Sequence, residues 1–305
     1  MATYLVTGGL GFIGSHVVDA LAARGDAVRV LDNLSSGHRE NVKAPIDLIV
    51  GDVVDAELTR RAMTGVDGCF HFAAIASVAR CNDDWLNSHQ VNQSGAVSVF
   101  QAALQANSTP VPVVYASSAA VYGDNSELPL AETAPPRPLS PYGADKLGTE
   151  FQARAGGRVH GLPSLGARLF NVYGPRQDPA SPYSGVISIF MDRIRRGEEV
   201  VVYGDGGQTR DFVYIDDVVQ CLLRGLPAAS ADAPVVNICG GISCTINDLL
   251  AIMMTAADRT VTIRHAAARA GDIRESRGCP DRAVELLGLR PSIRLNDGIA
   301  RLLKA

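Results

Sequence analysis

The chain lacks the features that mark nucleic-acid-binding, membrane-spanning and secreted proteins. Its formal net charge is −4 and it has no long basic run, so neither a nucleic-acid footprint nor a polybasic membrane patch is indicated. No apolar run reaches the length of a membrane span, and no signal-peptide basic region precedes the first strand-like segment. These absences predict a cytoplasmic protein whose partners are small molecules rather than nucleic acid or membrane.

Cysteine is scarce and scattered. The six cysteines form no Cys-x-x-Cys pair and no cluster with histidine, which argues against a disulfide framework and against a zinc site. We therefore expect no metal centre, and we expect most of the cysteines to be small buried residues. At 305 residues, the chain is long enough for one large α/β unit or for two domains that share a cleft.

A strand, a glycine-rich turn and a helix open the chain. The apolar run Thr3–Thr7 stops at Gly8-Gly9-Leu10-Gly11-Phe12-Ile13-Gly14, and apolar residues then recur at the spacing of one helix face until Gly25. A second strand over 27–31 ends at Asp32, which completes a βαβ unit. Glycines in such a turn let the backbone approach a pyrophosphate, whose charge the helix N-terminus favours. The pattern predicts a dinucleotide site.

Asp32 bears on which dinucleotide binds. Its carboxylate can accept hydrogen bonds from the adenosine ribose hydroxyls, whereas a 2′-phosphate there meets repulsion. The acid therefore favours NAD over NADP. Basic residues nearby leave NADP open as an alternative: Arg29, Arg39 and Lys43.

Strands and helices continue to alternate over the next part of the chain. The pattern predicts strands over 46–50, 67–72, 111–115 and 165–170, and helices over about 55–63 and 86–106. Small residues after the strand that ends in His71-Phe72-Ala73-Ala74 let a cofactor lie close to the sheet edge. We interpret His71 as a packed core histidine rather than a catalytic one, and Trp85 as a packing residue.

Tyr142 and Lys146 stand four residues apart, so in a helix they share one face. The dipeptide Ser140-Pro141 before them is a good helix start. A free tyrosine has a pKa of about 10, and a nearby cation favours its phenolate, so the pair can act as an acid/base device. The preceding predicted strand delivers Ser117-Ser118-Ala119-Ala120 to the same sheet edge, where a serine can relay a proton. The same tyrosine–lysine spacing also occurs on ordinary solvated helix faces.

The regular alternation breaks near Gly174. Beyond it the pattern predicts a helix over 186–196, a strand over 199–203, a polar loop over 204–211, a strand over 235–238 that returns to the first sheet, and a mostly helical tail from residue 243. We predict an α/β fold with a doubly wound parallel sheet. Residues 1–173 form the NAD-binding domain, and residues 174–305 form mainly a smaller α/β substrate domain.

Together these motifs resemble the extended short-chain dehydrogenase/reductase family, in its nucleotide-sugar epimerase and dehydratase branch. The resemblance runs over nearly the whole chain and implies a Rossmann domain for NAD and a C-terminal domain for a nucleoside diphosphate sugar. The motifs that carry it are the glycine-rich turn with Ser15, Leu31-Asp32-Asn33-Leu34, His71-Phe72-Ala73-Ala74, Ser117 to Gly123, Tyr142 with Lys146, Arg168 to Gln177, and Gln208 to Phe212.

The resemblance also implies roles for single residues. The catalytic set is Ser118, Tyr142 and Lys146. Cofactor contacts are implied for Gly8, Gly11, Phe12, Ile13, Gly14, Asp32, Asn33, Asp52, Val53, Phe72, Ala73 and Ala74, together with Tyr142 and Lys146. Substrate contacts are implied for Ser118, Asn171, Val186, Tyr203, Arg210, Arg269, Asp272 and Ser276.

Within the substrate set, the resemblance places Asn171, Arg210 and Arg269 at the diphosphate, where guanidinium groups match phosphate oxygens. It places Asp272 at the uridine ribose and Tyr203 against the uracil. Surface ion pairs are the alternative role for the two arginines. A homodimer is implied through the helix that ends near residue 106 and the helix that begins at residue 141.

The catalytic loop indicates which reaction is performed. The family's dehydratases and decarboxylases resemble one another in keeping a carboxylate there, whereas this chain has Ser118-Ala119-Ala120. Without that carboxylate, C4 epimerisation fits better than elimination. By the family mechanism, Tyr142 takes the 4-hydroxyl proton with help from Ser118, NAD takes and returns the C4 hydride, and Lys146 lowers the tyrosine pKa and holds the nicotinamide ribose.

The sugar is less constrained by the sequence. By resemblance, glucuronate 4-epimerases differ at Asn171 and carry a basic residue where this chain has Asp178, so a neutral hexose is favoured. Ser276 occupies a position that limits room near C2, and its small side chain leaves space for an N-acetyl group. We predict a UDP-glucose/UDP-galactose 4-epimerase that also accepts UDP-GlcNAc/UDP-GalNAc. The alternatives are a 4,6-dehydratase, a reductase, a UDP-glucuronate 4-epimerase and a non-catalytic NAD-binding regulator.

Overall fold

The computed structural model describes residues 1–178, 185–268 and 273–304. The strands are β1 (Thr3–Thr7), β2 (Ala27–Asp32), β3 (Asp47–Val50), β4 (Gly68–His71), β5 (Val113–Ser118), β6 (Ser164–Leu169), β7 (Asn171–Tyr173), β8 (Val200–Tyr203), β9 (Thr209–Tyr214), β10 (Val235–Ile238), β11 (Ser243–Thr245) and β12 (Ile263–Ala266). The helices are α1 (Phe12–Ala23), α2 (Ala56–Met63), α3 (Val78–Asp83), α4 (Trp85–His89), α5 (Gly95–Gln105), α6 (Pro141–His160), α7 (Val186–Arg196), α8 (Ile215–Ala228), α9 (Ile246–Ala256), α10 (Asp281–Leu287) and α11 (Leu295–Lys304).

Seven parallel strands form the central sheet, in the order β10-β6-β5-β4-β1-β2-β3. Strand order reverses between β1 and β4, and open α/β sheets bind ligands in the crevice at such a reversal. Helices cover both faces, with α1 and α8 on one side and α2, α5 and α6 on the other. The predicted Rossmann-type α/β fold is therefore confirmed, and β10 lies in this sheet as the returning strand.

One predicted helix is built differently from the expectation. Residues 86–106 are interrupted by a π-helical turn at Gln90–Ser94, between α4 and α5. The side chain of Asn92 at this turn accepts from the Ile75 backbone N–H at 2.8 Å and donates to the Ile75 carbonyl at 3.1 Å. Hydrophobic spacing cannot reveal a single widened turn of this kind. Trp85 is 66% exposed, so it does not pack into the interior of the single chain, and its interpretation as a packing residue is wrong there.

The second part of the chain holds two small sheets, ordered β11-β9-β7 and β12-β8. The predicted polar loop over 204–211 is wrong at its end, because Thr209–Tyr214 is β9. The buried carboxylate of Asp211 explains how polar residues enter this strand, since it accepts from the backbone N–H groups of Gly240, Gly241 and Gly278 at 2.7, 3.0 and 3.0 Å. The division into two domains at residue 174 stays a prediction.

Across the described ranges 1–178, 185–268 and 273–304, every helix is too short or too polar to cross a membrane. All six cysteines are free thiols, and four of them are buried.

The turn between β1 and α1 brings two backbone segments into close contact. Gly8 adopts a left-handed conformation at φ +65°. A Cβ atom at Gly14 would lie 2.1 Å from the Gly8 carbonyl oxygen, and one at Gly8 would lie 2.7 Å from the backbone N of Ala73. The first turn of α1 therefore contacts the loop closely, so Gly14 is required by space, and Gly8 is required by both space and backbone conformation.

This contact predicts different effects for two neighbouring glycines. Gly14→Ala is expected to lower the melting temperature of the cofactor-free protein. Its Cβ would overlap the backbone of Gly8, and no change of side-chain conformation can relieve a clash with backbone atoms. Gly11→Ala is the control, since its Cβ would meet its nearest neighbour at 3.4 Å, in ordinary contact. Thermal unfolding followed by circular dichroism measures both. Equal melting temperatures for the two variants would contradict the geometry.

Candidate active site

Tyr142 and Lys146 lie at the start of α6. The Ser140 side chain accepts from the Gly143 backbone N–H at 3.1 Å and so caps the helix, and Pro141 occupies its first position. The Nζ atom of Lys146 lies 5.8 Å from the Tyr142 ring centroid. The predicted helix start and the shared face of the two residues are therefore present in the structure.

The glycine after the tyrosine brings α6 against the end of β5. A Cβ atom at Gly143 would lie 2.7 Å from the carbonyl oxygen of Ala120, so helix and loop touch through backbone atoms. The Ser118 side chain caps the short 3-10 turn Ala119–Val121 by accepting from the Ala120 N–H at 3.1 Å, and it lies close enough to the Tyr142 phenol to lower the pKa of that tyrosine. The role of Gly143 was not predicted from the sequence, although a glycine beside Tyr142 indicates that other backbone approaches the helix closely there.

Burial shifts both ionisable groups towards their neutral forms. Tyr142 is half-buried, and burial raises the pKa of Tyr142 to about 12 against the lowering effect of the Ser118 side chain. Burial lowers the pKa of Lys146 to about 8, and Asp145 partly opposes it. Burial is thus the largest influence on the Tyr142 pKa in this structure, and a lowering of that pKa by Lys146 stays a prediction.

His71 ends β4 beside this site without joining it. It is buried, and its Nδ1 atom hydrogen-bonds the Thr7 hydroxyl at 2.7 Å. Burial, reinforced by Lys146, lowers the pKa of His71 to about 3, so the imidazole is neutral at physiological pH. Its position agrees with the interpretation as a packed, hydrogen-bonded core residue.

The residues implied to hold a cofactor lie at the carboxyl ends of β1, β2, β3 and β4, on both sides of the strand-order reversal. Asp32 is buried and accepts from the backbone N–H groups of Leu10 and Leu34 at 3.0 and 2.9 Å. A carboxylate has about four acceptor positions, so room remains for ribose hydroxyls. Asn33 donates to Asp52 at 2.7 Å.

The glycine cradle and this carboxylate fit a dinucleotide. The bare backbone at Gly8 and Gly14 is available to a pyrophosphate, and the acid at the end of β2 suits an unphosphorylated ribose. Val53 is buried in the core, so it offers only its backbone to a ligand. The remaining residues of the implied set lie in two segments that rim the crevice, the start of α1 and the loop after β4: Gly11, Phe12, Ile13, Phe72, Ala73 and Ala74.

The residues implied to hold a substrate are more spread. Asn171 opens β7, Val186 opens α7, and Tyr203 ends β8. The Arg210 guanidinium, in β9, donates to the carbonyl oxygens of Thr209 and Ile273 at 2.8 and 2.7 Å, so it anchors the segment that contains Ser276. Ser276 is buried, and its backbone N–H donates to Thr209 Oγ1 at 3.3 Å. The two remaining substrate residues lie outside the described residues: Arg269 and Asp272.

Comparison with known proteins identifies the family of the chain. Residues 4–239 match the NAD dependent epimerase/dehydratase family. The chain belongs to this family. That membership confirms the resemblance that the motifs of the sequence carry.

Relatives of the chain include several nucleotide-sugar epimerases. A UDP-glucose 4-epimerase from Mycolicibacterium smegmatis is 37% identical over 97% of this chain and 96% of its own length. The crystal structure of a UDP-glucose 4-epimerase from Thermotoga maritima with UDP-glucose matches with a TM-score of 0.94, at 36% identity over 99% of this chain and 97% of that one. A UDP-N-acetylglucosamine 4-epimerase from Methanobrevibacter ruminantium, in complex with UDP-N-acetylmuramic acid, matches with a TM-score of 0.93 at 35% identity over the same shares of both chains.

Proposed function

We propose that the protein is an NAD-dependent epimerase that inverts C4 of UDP-hexoses, with UDP-glucose and UDP-galactose as substrates. The observation that carries the proposal is the placement of Ser118, at the end of β5, beside Tyr142, with Lys146 one helical turn further along α6. The loop that follows Ser118 offers only Ala119 and Ala120, so it holds no carboxylate for eliminating water. The arrangement suits moving one proton to and from a sugar hydroxyl.

In this mechanism Tyr142 removes the proton of the 4-hydroxyl and later returns it. Ser118 hydrogen-bonds the phenol and the sugar oxygen, which keeps the two aligned. Lys146, one helical turn from the tyrosine, supplies positive charge when protonated. When bound, NAD would supply the hydride acceptor and donor that inversion at C4 requires. The residues that would hold NAD are the glycine turn, Asp32 and the loop after β4.

Dehydration or reduction is the competing activity within the family, and it needs an acid supplied from outside the loop. Two glutamates, Glu132 and Glu150, are hydrogen-bonded to other groups of the protein. Glu150 accepts from Arg168 and from Ser117, and Glu132 accepts from the Asn237 backbone N–H at 2.6 Å. Both carboxylates therefore serve the scaffold, which favours epimerisation.

For the nucleotide, we propose that Asn171, Arg210 and Arg269 bind the diphosphate, and that Val186, Tyr203 and Asp272 complete the site. Matching guanidinium groups to phosphate oxygens supports the two arginines. We also propose that UDP-GlcNAc and UDP-GalNAc are accepted, because the side chain at position 276 is a serine. Localisation in the cytoplasm stays a prediction.

The proposal is tested with Tyr142→Phe and a substrate panel. The wild-type protein is expected to convert UDP-glucose to UDP-galactose, and Tyr142→Phe is expected to lower kcat by about 10²- to 10⁴-fold because the proton acceptor is lost. Tyr4→Phe in β1 is the control and keeps full activity. Product separation by anion-exchange chromatography measures turnover. Exclusive turnover of UDP-glucuronate, or release of a 4-keto-6-deoxy sugar, would contradict the proposal.

Position 276 predicts the C2 selectivity. Ser276→Tyr is expected to lower kcat/KM for UDP-GlcNAc by about tenfold or more while sparing UDP-glucose, because a large side chain fills space that an N-acetyl group needs. Ser276→Ala, which stays small, retains both activities. Steady-state kinetics with the two substrates give the ratio. A parallel fall for both substrates in the tyrosine variant would argue against this placement.

We further propose that the protein is a homodimer that pairs through α5 and α6. Exposed apolar side chains on these helices and on α4, which packs beside α6, support this interface. They are Trp85, Leu86, Val97, Phe151 and Val159.

Sedimentation velocity tests the dimer. The wild type is expected to sediment as a dimer, and Phe151→Arg is expected to shift it to monomer by placing a charge in the apolar contact. The control Ile242→Arg changes a side chain that is 76% exposed and lies between β10 and β11, and it leaves the dimer intact. A monomeric wild type would refute the proposal.

A further inference from the structure

A row of buried polar residues crosses three neighbouring strands at one side of the sheet, β5, β6 and β10. Ser117 of β5 is the register partner of Arg168 of β6, and Arg168 is the partner of Asn237 of β10. All three are at least nine-tenths buried. Parallel strands covered on both faces are ordinarily apolar, so this row requires polar partners from a covering element.

Glu150 of α6 supplies those partners. Its Oε1 atom accepts from the Ser117 hydroxyl at 2.5 Å and from Arg168 Nε at 2.9 Å, while its Oε2 atom accepts from Arg168 Nη2 at 2.7 Å. The carboxylate is thus held in a two-pronged ion pair and a third hydrogen bond, all shielded from water. Its geometry is fixed by the sheet below it.

The placement of these residues relates them to the reaction. Ser117 directly precedes Ser118 on the strand that ends in the catalytic loop. Glu150 stands two helical turns beyond Tyr142 and one beyond Lys146, so the three residues share a face of α6. The bond between Ser117 and Glu150 therefore joins the two elements that carry Ser118 and Tyr142.

Further hydrogen bonds connect Arg168 to the segment that contains Ser276. Arg168 Nη1 donates to the Tyr122 hydroxyl at 2.9 Å, and that hydroxyl donates to Asn237 Oδ1 at 2.7 Å. Asn237 Nδ2 then donates to the Leu130 carbonyl at 2.8 Å. Leu130 pairs through its backbone with residues 277 and 279, which follow Ser276.

We propose that Ser117, Glu150 and Arg168 are positioning residues that set the separation between the Ser118 hydroxyl and the Tyr142 phenol. The inference rests on the proposed epimerase function for its kinetic consequence, because proton transfer depends on that separation. A displacement of about 1 Å between reacting groups can cost on the order of 10²-fold in rate. The three residues act through Ser118 and Tyr142 and contact neither sugar nor cofactor.

Ser117→Ala tests this, because it removes one hydroxyl and leaves the ion pair between Glu150 and Arg168 in place. We expect kcat for UDP-glucose to fall about tenfold or more with KM changed less than about twofold, since the defect lies in alignment rather than in binding. We also expect the Tyr142 pKa to rise, because its bond from Ser118 weakens. Ser117→Thr keeps the hydroxyl and is expected to restore both values.

The matched control is Ser164→Ala, which deletes a buried hydroxyl at the far end of β6. Among the described residues, the Ser164 hydroxyl has no hydrogen-bond partner, so its loss leaves kcat and the Tyr142 pKa unchanged. The Tyr142 pKa is read by ultraviolet titration as the difference between each protein and its Tyr142→Phe counterpart. This titration needs no turnover.

The possible outcomes separate the two proposals. A wild type that fails to epimerise any UDP-hexose would refute the proposed function, while the tyrosine titration would still decide the positioning. If Ser117→Ala matched Ser164→Ala in kcat, KM and the Tyr142 pKa, the Glu150 network would be purely structural and the inference would be wrong. Failure of Ser117→Thr to restore the pKa would likewise overturn it.

Discussion

The contact between α6 and the end of β5 is the constraint on which the site depends. Gly143 lets the helix touch the backbone of Ala120, and Glu150, nearly two turns later, bonds the strand through Ser117. The strand itself is held between β4 and β6 inside the parallel sheet. The distance between Ser118 and Tyr142 is therefore set at two points, by a backbone contact and by a buried side-chain hydrogen bond, which a flexible loop alone would not achieve.

Burial at this contact affects two pairs of side chains differently, the ion pair of Glu150 with Arg168 and the catalytic pair of Tyr142 with Lys146. Glu150 and Arg168 form a buried ion pair joined by two hydrogen bonds, and removing one partner of such a pair costs about 3–5 kcal/mol. Burial instead moves the pKa values of Tyr142 and Lys146 towards the neutral forms of both side chains. A phenol that is reluctant to ionise is also a strong base once it has ionised, which suits a proton that must be taken and then returned.

Much of this site could be predicted from the sequence because its signals are local. The glycine turn, the Ser140-Pro141 helix start and the four-residue spacing of Tyr142 and Lys146 each depend on neighbours along the chain. The π-helical turn at Gln90–Ser94 could not be predicted in this way, since it is accompanied by a tertiary hydrogen bond between Asn92 and Ile75. Strand β9 was missed for the same reason, because Asp211 is satisfied by amides 29 to 67 residues away. The direction of the tyrosine pKa shift also depends on burial, which the spacing does not contain.

The structure strengthens the assignment of the reaction at the point where the sequence left it open. Ala119 and Ala120 remove the loop carboxylate, but a sequence cannot exclude an acid that arrives from another element. Glu150 lies on the same helix as Tyr142 and is therefore the first candidate for such an acid. Its carboxylate is buried and accepts hydrogen bonds from Arg168 and Ser117. An acid committed to aligning Ser118 and Tyr142 cannot also donate a proton to a leaving hydroxyl without breaking that alignment. The same carboxylate thus explains both how the pair is positioned and why elimination is disfavoured.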